Sequence, residues 1–347
     1  MRIPGKIQTT SALVTTLTFL LLLVSSCAAP IDIPHQFPTP PPPPAPTPLE
    51  KLQLKPDIEL EALIAKIAEE AKGKVGVAAV VLETGETAML NADQRFPMQS
   101  VYKLPIAMAV VDQVRRGELD LDAVVGVTKD DFVRPGMRSP LRDKNPNGGE
   151  FTIRELIRLS LVESDGTASD VLMNIAGGAI NIQAFLTQIG VRDMRVSNTE
   201  KEIGRDRETQ FDNWATPAGA VELLRWLRAN SNVRKVDGEA MSGADGAVAG
   251  DGMPLIVQFM TDSTPGANRL KGLLPKGTAV AHKTGTSGTQ NGITAATNDI
   301  GTISLPNGDH LAIAVFVSDS PADQTTRESV IAKIAKAVWD KYSAIAK

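Results

Sequence analysis

The stretch Met98-Gln99-Ser100-Val101-Tyr102-Lys103 is the part of the sequence from which the fold is first inferred. On a helix, residues three apart lie on one face, so the side chains of Ser100 and Lys103 can reach each other. A serine hydroxyl is a weak nucleophile until a neighbouring base takes its proton, and a lysine of lowered pKa can do that. Alone the pair is a weak signal, because a surface helix turn explains it equally well.

Two later stretches strengthen this interpretation. Ser164-Asp165-Gly166 follows a predicted helix over 152–163, whose Thr152 and Glu155 fit a capping box. His282-Lys283-Thr284-Gly285-Thr286-Ser287-Gly288 precedes the last apolar runs of the chain. Lys-Thr-Gly alone could mark a strand end and a tight turn. All three stretches in this order are improbable as an accident.

Together the three stretches resemble the motif set of the penicillin-recognising serine enzymes, which include class A β-lactamases and penicillin-binding proteins. Three more stretches are similar to the PER- and VEB-like branch of class A: Gln210-Phe211-Asp212-Asn213-Trp214, 139–144 and 294–299. The resemblance covers about 55–347. It implies a mixed α/β (α+β) fold, in which N- and C-terminal helices pack on an antiparallel sheet and an all-helical domain is inserted.

The apolar pattern favours the same architecture. A helix over 57–72 is predicted from apolar residues at helical spacing, Leu60, Leu63, Ile64, Ile67 and Ala71. Residues 75–82 form a predicted strand, and 300–305 and 310–317 a predicted hairpin. A final helix would bury one face, formed by Ile331, Ile334, Val338, Tyr342 and Ile345. We therefore expect a catalytic domain over 51–347, with its sheet in 51–95 and 261–347 and its helical part in 96–260.

The resemblance implies a role for each matching residue. Ser100 would attack the lactam carbonyl, and Lys103 and Glu200 are the alternative bases for this step, a choice that is disputed in the family. Ser164 would relay a proton to the lactam nitrogen. Lys283, Thr284 and Thr286 would bind the substrate carboxylate, and the backbone N–H groups of Ser100 and Thr286 would form the oxyanion hole. No metal or organic cofactor is implied.

A glutamate that activates water distinguishes a class A β-lactamase from a penicillin-binding protein. The stretch Asn198-Thr199-Glu200-Lys201-Glu202-Ile203-Gly204 supplies the candidate. Glu200 would activate the deacylating water. Glu202 is the rival, although the apolar Ile203 favours Glu200, and a solvated loop glutamate is the remaining alternative.

Several positions depart from the family pattern. Gly166 and Gly204 stand where asparagine is usual. We expect Gly166 to widen the space beside Lys103, and Gly204 to lack a side chain that helps to hold the hydrolytic water. Arg138 replaces an aromatic residue and, with Gly166, should line the cleft and contact the substrate. Because no lysine or arginine lies between Lys283 and Arg327, we expect no arginine next to the third motif that could pair with the substrate carboxylate. A Gly- and Ala-rich stretch over 238–252 is predicted to be an inserted surface loop.

Residues 1–26 are predicted to be a lipoprotein signal peptide. The apolar run over 12–24 reaches only about 20 Å as a helix, short of a hydrocarbon core of roughly 30 Å. The only cysteine, Cys27, follows Val24-Ser25-Ser26 as in a bacterial lipobox, where the cysteine is lipidated. An ordinary secretory signal is the alternative. The proline-rich residues 27–50 would be an extended tether.

The composition excludes other classes of protein. The chain has 347 residues, 42% of them hydrophobic, and can form a large core. A net charge of −4 argues against a nucleic-acid partner. One cysteine allows no intrachain disulfide, and three scattered histidines give little support for a metal site.

The sequence therefore predicts an exported, periplasmic class A serine β-lactamase. It would hydrolyse the lactam ring of penicillins and cephalosporins, act as a monomer and contact the membrane only through a lipid on Cys27. A D-alanyl-D-alanine peptidase or a penicillin sensor, which acylates without turnover, is the alternative. An inactive peptidoglycan-binding lipoprotein is disfavoured, because Ser100, Lys103, Ser164 and Lys283 are all present.

Overall fold

The structure, a computed structural model, describes residues 46–206, 208–231 and 252–345. The predicted signal peptide, Cys27, the tether up to residue 45 and nearly all of the predicted 238–252 loop lie outside these residues.

The described residues form a mixed α/β architecture. The strands are β1 Lys55–Pro56, β2 Lys74–Val81, β3 Glu86–Leu90, β4 Phe96–Pro97, β5 Val124–Val127, β6 Gly149–Thr152, β7 Met194–Arg195, β8 Trp214–Ala215, β9 Val280–Thr286, β10 Thr289–Gln290, β11 Ile293–Thr294, β12 Thr297–Ser304 and β13 His310–Ser318. The helices are α1 Ile58–Ala68, α2 Lys103–Arg115, α3 Pro140–Lys144, α4 Ile153–Val162, α5 Gly166–Ile175, α6 Gly178–Gln188, α7 Glu200–Ile203, α8 Pro217–Ala229, α9 Met253–Thr261 and α10 Gln324–Ile345.

A six-stranded sheet with the order β1-β3-β2-β13-β12-β9 lies between two apolar cores. Its neighbouring strands are antiparallel, except that β1 pairs with β3 in parallel. Successive side chains of a strand point to opposite faces. On β2, Val77 and Ala79 therefore belong to the core that includes residues of α1 and α10, and Ala78 and Val80 to the core that includes α2 and α8. Because both faces are covered, β2 is a continuous apolar run.

The terminal helices follow the predicted pattern with one exception. Asp57 caps α1 by accepting a hydrogen bond from the backbone N–H of Leu60 at 3.0 Å. Leu60 and Ile64 are buried, but Leu63 is 46% exposed. Leu63 is exposed because it lies at the edge of the apolar stripe. On α10 the predicted face is buried at Ile331, Ile334, Val338 and Tyr342.

The inserted part, between the β3 and β9 strands, is mostly helical and also contains short strands. The β5 and β6 strands form one antiparallel pair, and β4, β8 and β7 form a small sheet. The central helix, α2, is buried from Lys103 to Asp112. Pro105 fits in its first turn, where a backbone N–H has no intrahelical partner.

The last residues of the predicted tether are attached to this domain. Pro46 is buried, and the indole N–H of Trp226 on α8 donates to the carbonyl oxygen of Thr47 at 3.0 Å. Arg225 donates to the carbonyl oxygen of Glu50. Any extended tether therefore ends before Pro46. Among the helices of the described ranges, none is both long and apolar enough to cross a bilayer.

Gly76→Ala should destabilise the fold by about 1–3 kcal/mol, because the added methyl group overpacks a closed core. A Cβ atom at Gly76 would lie 2.3 Å from the ring of Phe96 and 2.8 Å from Pro217. Urea unfolding measures the effect as a lower midpoint at constant m-value. Gly126→Ala on β5 is the matched control, since no atom lies within 4 Å of its Cβ position. Equal midpoints for both variants would contradict the packing described.

Candidate active site

Ser100 and Lys103 lie at the start of the buried helix α2. A short 3₁₀ helix, Gln99–Tyr102, leads directly into α2, so the two side chains fall on one face. The Nζ atom of Lys103 donates to Oγ of Ser100 at 3.1 Å. Gln99 holds a φ of +49°, a backbone conformation that costs energy for a residue with a side chain and is common next to functional groups.

Ser164 lies between two lysines. Its carbonyl oxygen accepts a hydrogen bond from Nζ of Lys103 at 3.0 Å, and its Oγ accepts one from Nζ of Lys283 at 2.9 Å. The neighbouring Asp165 caps α5 by accepting from the backbone N–H of Ala168 at 2.8 Å. The three motifs predicted from the sequence therefore meet at one serine.

Lys283 is fully buried on β9, with Nζ also donating to the carbonyl oxygen of Thr284 at 3.1 Å. Burial holds the pKa of the Lys283 ammonium well below its usual range, and the positive charge of Lys103 lowers it further. Thr284 is buried and Thr286 is exposed, two residues further along the strand. A lysine that gives up its proton readily is thus in hydrogen-bond contact with Ser164.

The carboxylate of Glu200, the first residue of α7, reaches the same cluster. Its Oε2 lies 3.2 Å from Nζ of Lys103. The rival, Glu202, forms a capping box instead, since its Oε2 accepts from the backbone N–H and the hydroxyl of Thr199 at 2.8 and 2.9 Å. The structure thus brings Glu200 to the lysine and engages Glu202 elsewhere. The pattern Thr-x-x-Glu could have indicated this role for Glu202 from the sequence.

Tyr102 is a member of the site that sequence reasoning missed. Its side chain is fully buried, and its hydroxyl donates to Oε2 of Glu200 at 2.7 Å. Burial raises the pKa of Tyr102 well above its usual value, and the nearby charges of Glu200 and Asp170 add to the shift. Tyr102 therefore stays a donor. Its only sequence signal was its place between Ser100 and Lys103.

Asp170 on α5 was also missed, and it holds the backbone at Glu200. Its two carboxylate oxygens accept from the N–H groups of Glu200 and Lys201 at 2.6 and 3.0 Å. Burial raises the pKa of Asp170, the two hydrogen bonds lower it, and the charge of Glu200 raises it again. The resulting pKa is about 6. No local pattern around Asp170 indicated this contact, which joins residues 30 apart.

Arg269 corrects the expectation that no arginine lies beside the third motif. This residue precedes the motif in the sequence, in the segment between α9 and β9, and its side chain is buried. Its Nη2 donates to Oγ1 of Thr286 at 2.7 Å, and its Nη1 to the carbonyl oxygen of Asn298 at 2.9 Å. Glu328 accepts from its Nε at 3.2 Å. A guanidinium group thus lies at the end of β9 after all.

The two glycines that depart from the family pattern leave no open space. A Cβ atom at Gly166 would lie 2.8 Å from Cγ of Glu200 and 3.1 Å from the carbonyl oxygen of Arg138. One at Gly204 would lie 2.5 Å from Sδ of Met137. The prediction of a wider space beside Lys103 is therefore wrong, because neighbouring chain fills the volume. The exposed Arg138 donates through Nε to the carbonyl oxygen of Glu163 at 2.6 Å.

In the described ranges, no group of three or more His, Cys, Asp and Glu side chains could hold a metal ion. The site consists instead of a serine next to a lysine, a second serine between two lysines, and a carboxylate. This set suits nucleophilic attack followed by proton transfer.

The comparison with known proteins agrees with this geometry. The Beta-lactamase enzyme family matches residues 59–342. The chain belongs to this family. Beta-lactamase VEB-1 of Pseudomonas aeruginosa is 37% identical over 279 residues, which cover 80% of this chain and 89% of VEB-1. Extended-spectrum beta-lactamase PER-1 of the same organism is 36% identical over 282 residues, which cover 81% of this chain and 86% of PER-1.

Solved β-lactamases share the fold. The TLA-3 extended-spectrum beta-lactamase has a TM-score of 0.75 and 38% identity, and a beta-lactamase from Chitinophaga pinensis DSM 2588 has 0.74 and 38%. Each comparison covers 82% of this chain and 99% of the other. A class A beta-lactamase from Bacteroides cellulosilyticus DSM 14838 has a TM-score of 0.72 and 30% identity, over 83% of this chain and 98% of the other. The predicted class A resemblance and mixed α/β fold are confirmed.

Deacylation of the acyl-enzyme should slow as the pH falls through about 6, because Asp170 then takes up a proton. A protonated carboxyl holds the N–H groups of Glu200 and Lys201 less firmly than a carboxylate does. Asp170→Asn should deacylate about tenfold more slowly at neutral pH, the effect of one charge-assisted hydrogen bond, and show no further step near pH 6. Stopped-flow measurement of deacylation against pH tests this.

The stability effect of Asp170 has the opposite sign. Its folded pKa of about 6 exceeds the unperturbed 3.8, so the folded state gains stability from this group as the pH falls between these values. Thermal melting at each pH therefore separates slow deacylation from unfolding. Asp122→Asn, in a surface ion pair with Arg154, is the control and should keep the wild-type profile. A wild-type profile in Asp170→Asn would contradict the role.

Proposed function

We propose that this protein hydrolyses the β-lactam ring of penicillins and cephalosporins through an acyl-enzyme on Ser100, and so confers resistance to these drugs. The observation that carries the proposal is the carboxylate of Glu200, 3.2 Å from the lysine that contacts Ser100. A nucleophile and its base suffice for acylation, whereas the added carboxylate supplies a base for water. Family membership and the relatives named as extended-spectrum β-lactamases support the same activity.

In the acylation step, Oγ of Ser100 attacks the lactam carbonyl and gives up its proton. Lys103 contacts Oγ directly at 3.1 Å, but it can accept this proton only after it has passed one of its own to a neighbour such as Glu200. Glu200 can instead act through a bridging water, so both remain candidate bases. Backbone N–H groups of Ser100 and Thr286 would stabilise the oxyanion. As the C–N bond breaks, Ser164 passes its hydroxyl proton to the lactam nitrogen, and Lys283, whose pKa is lowered, replaces it.

In the deacylation step, Glu200 takes a proton from the water that attacks the acyl carbon, and the proton returns to Oγ of Ser100 as the ester bond breaks. Tyr102 and Lys103 both contact Oε2 of Glu200. Oε1 is therefore the oxygen that would accept the proton. The hydroxyl of Tyr102 and the N–H contacts of Asp170 hold this carboxylate in place while the water reacts.

The substrate carboxylate would bind at the end of β9. Lys283, Thr284 and Thr286 supply an ammonium group and two hydroxyls there, and Arg269 adds a guanidinium 2.7 Å from Oγ1 of Thr286. Gly166 can contact the substrate only through its backbone. The exposed Arg138 is the candidate contact for substrate side chains.

Purified protein should turn over nitrocefin repeatedly, and Glu200→Gln should acylate Ser100 but accumulate the adduct. Intact-protein mass spectrometry detects the adduct, and the absorbance change then stops at one equivalent. Glu202→Gln is the matched control and should keep turning over, because this side chain only caps α7. A single-equivalent burst from the wild type would indicate a penicillin sensor or a D-alanyl-D-alanine peptidase. If only Glu202→Gln accumulates the adduct, Glu202 is the base for deacylation and Glu200 is not.

We further propose that the protein is exported to the periplasm as a monomer and held on a membrane by a lipid on Cys27. The support is the lipobox-like sequence before Cys27 and the proline-rich residues that follow it. Thr47 and Glu50 are fixed to α8, so the segment between the lipid and the domain would end there.

Cys27→Ser should move the protein from the membrane pellet to the soluble fraction after ultracentrifugation. Nitrocefin turnover per folded molecule should not change, because the proline-rich segment separates the anchor from the site. A Ser25→Ala variant, which keeps the cysteine, controls for general effects on export. Wild type and Cys27→Ser in equal proportions in the pellet would exclude the lipid anchor.

A further inference from the structure

Arg138 holds the chain on both sides of Ser164. Its Nε donates to the carbonyl oxygen of Glu163, the residue before Ser164, at 2.6 Å. Its own carbonyl oxygen accepts from the N–H of Gly166, two residues after Ser164, at 2.9 Å. One residue therefore bridges the entrance and the exit of the turn.

The turn needs such support, because Ser164 has a left-handed backbone with φ of +57°. For a residue with a side chain this conformation costs on the order of 1 kcal/mol and persists only where neighbours impose it. Glu163 is the C-cap of α4, and the last carbonyl groups of a helix lack intrahelical partners. A guanidinium at this end satisfies one such carbonyl and is favoured by the helix dipole.

The segment after Arg138 fixes the remaining residue of the turn. The carboxylate of Asp165 accepts from Oγ of Ser139 at 3.1 Å and from the N–H of Leu141 at 2.6 Å. Glu163, Asp165 and Gly166 are thus all held by residues 138–141. Ser164 alone is left to the catalytic groups, with its carbonyl on Lys103 and its hydroxyl on Lys283.

Gly166 makes this close contact possible. A Cβ atom there would lie 3.1 Å from the carbonyl oxygen of Arg138 and 3.3 Å from Cγ1 of Val133. The two segments therefore meet backbone to backbone, and the turn cannot shift without moving Arg138.

We propose that Arg138 is a positioning residue that keeps Ser164 aligned between Lys103 and Lys283 during acylation. The inference rests on the proposed function, in which Ser164 relays a proton. It assigns Arg138 a role that does not depend on the substrate side chain, in addition to any contact with that side chain. Deacylation should be spared, because Tyr102 and Asp170 hold Glu200 independently of Arg138.

The test measures acylation alone, in the Glu200→Gln background, where deacylation is blocked. Stopped-flow acylation by nitrocefin and by a carboxylate-bearing penicillin is compared with and without Arg138→Ala. We expect a roughly tenfold slower acylation rate constant for both substrates, with an unchanged substrate concentration for the half-maximal rate. Arg138→Lys retains a donor for the Glu163 carbonyl and should recover most of the rate. Arg154→Ala changes a half-buried arginine on α4 that pairs with Asp122 and should acylate at the parent rate.

The same Arg138→Ala change is then examined with Glu200 intact, where deacylation after the burst should stay within about twofold of wild type. An unchanged acylation rate would overturn the proposal. A loss confined to the carboxylate-bearing penicillin and expressed in KM would also overturn it, since Arg138 would then only bind substrate. Equal losses in acylation and deacylation with a lower Tm would show general destabilisation. A wild type that never turns over nitrocefin would instead refute the proposed function itself. If only the Glu200→Gln parent fails to acylate, Glu200 is the acylation base, and the burst phase with Glu200 intact then measures the effect of Arg138→Ala on acylation.

Discussion

The site depends on two buried ammonium groups that converge on Ser164. Lys103 donates to its carbonyl oxygen and Lys283 to its hydroxyl, at 3.0 and 2.9 Å. Burial lowers the pKa of Lys283, and repulsion from the charge of Lys103 in this medium of low dielectric lowers it further. Lys103 has the carboxylate of Glu200 as a partner, whereas no carboxylate among the described residues lies within ion-pair distance of Lys283. The asymmetry makes Lys283 the group that most readily exchanges a proton with Ser164.

This arrangement also explains why strand β9 and the helical part of the fold must be aligned with each other. The α2 helix, the turn after α4 and the α7 helix carry Lys103, Ser164 and Glu200, and the edge strand β9 carries Lys283. Lys283 lies opposite Ile300 in the β9–β12 ladder, and a shift by one residue would turn its side chain to the other face. The contacts at Ser164 thus require both this sheet register and the helical turn.

The sequence predicted those parts of the site that depend on local spacing or on motif order. Ser100, Lys103, Ser164 and Lys283 were recognisable because three short stretches occur together in one order, although each stretch alone is a weak signal. Arg269 was not, because it comes from an irregular segment and reaches Thr286 through tertiary packing. Tyr102 and Asp170 bind Glu200 through hydrogen bonds between buried groups that are distant in the sequence. A sequence pattern does not show which buried groups meet. Gly166 was misread because a missing side chain was taken as empty volume, whereas Glu200 and Arg138 fill it.

The position of Glu200 illustrates how a weak element is held in place at a thermodynamic cost. The α7 helix has four residues and is far too short to be stable alone. Thr199 and Glu202 cap it from within, and Asp170 binds its first N–H groups from α5. Ionised Asp170 is unfavourable in this buried place, as its raised pKa of about 6 shows, by on the order of 3 kcal/mol at neutral pH. A neutral side chain there would favour the fold but would bind those N–H groups less strongly. The ionised Asp170 therefore positions the Glu200 carboxylate more precisely, but it makes the domain less stable.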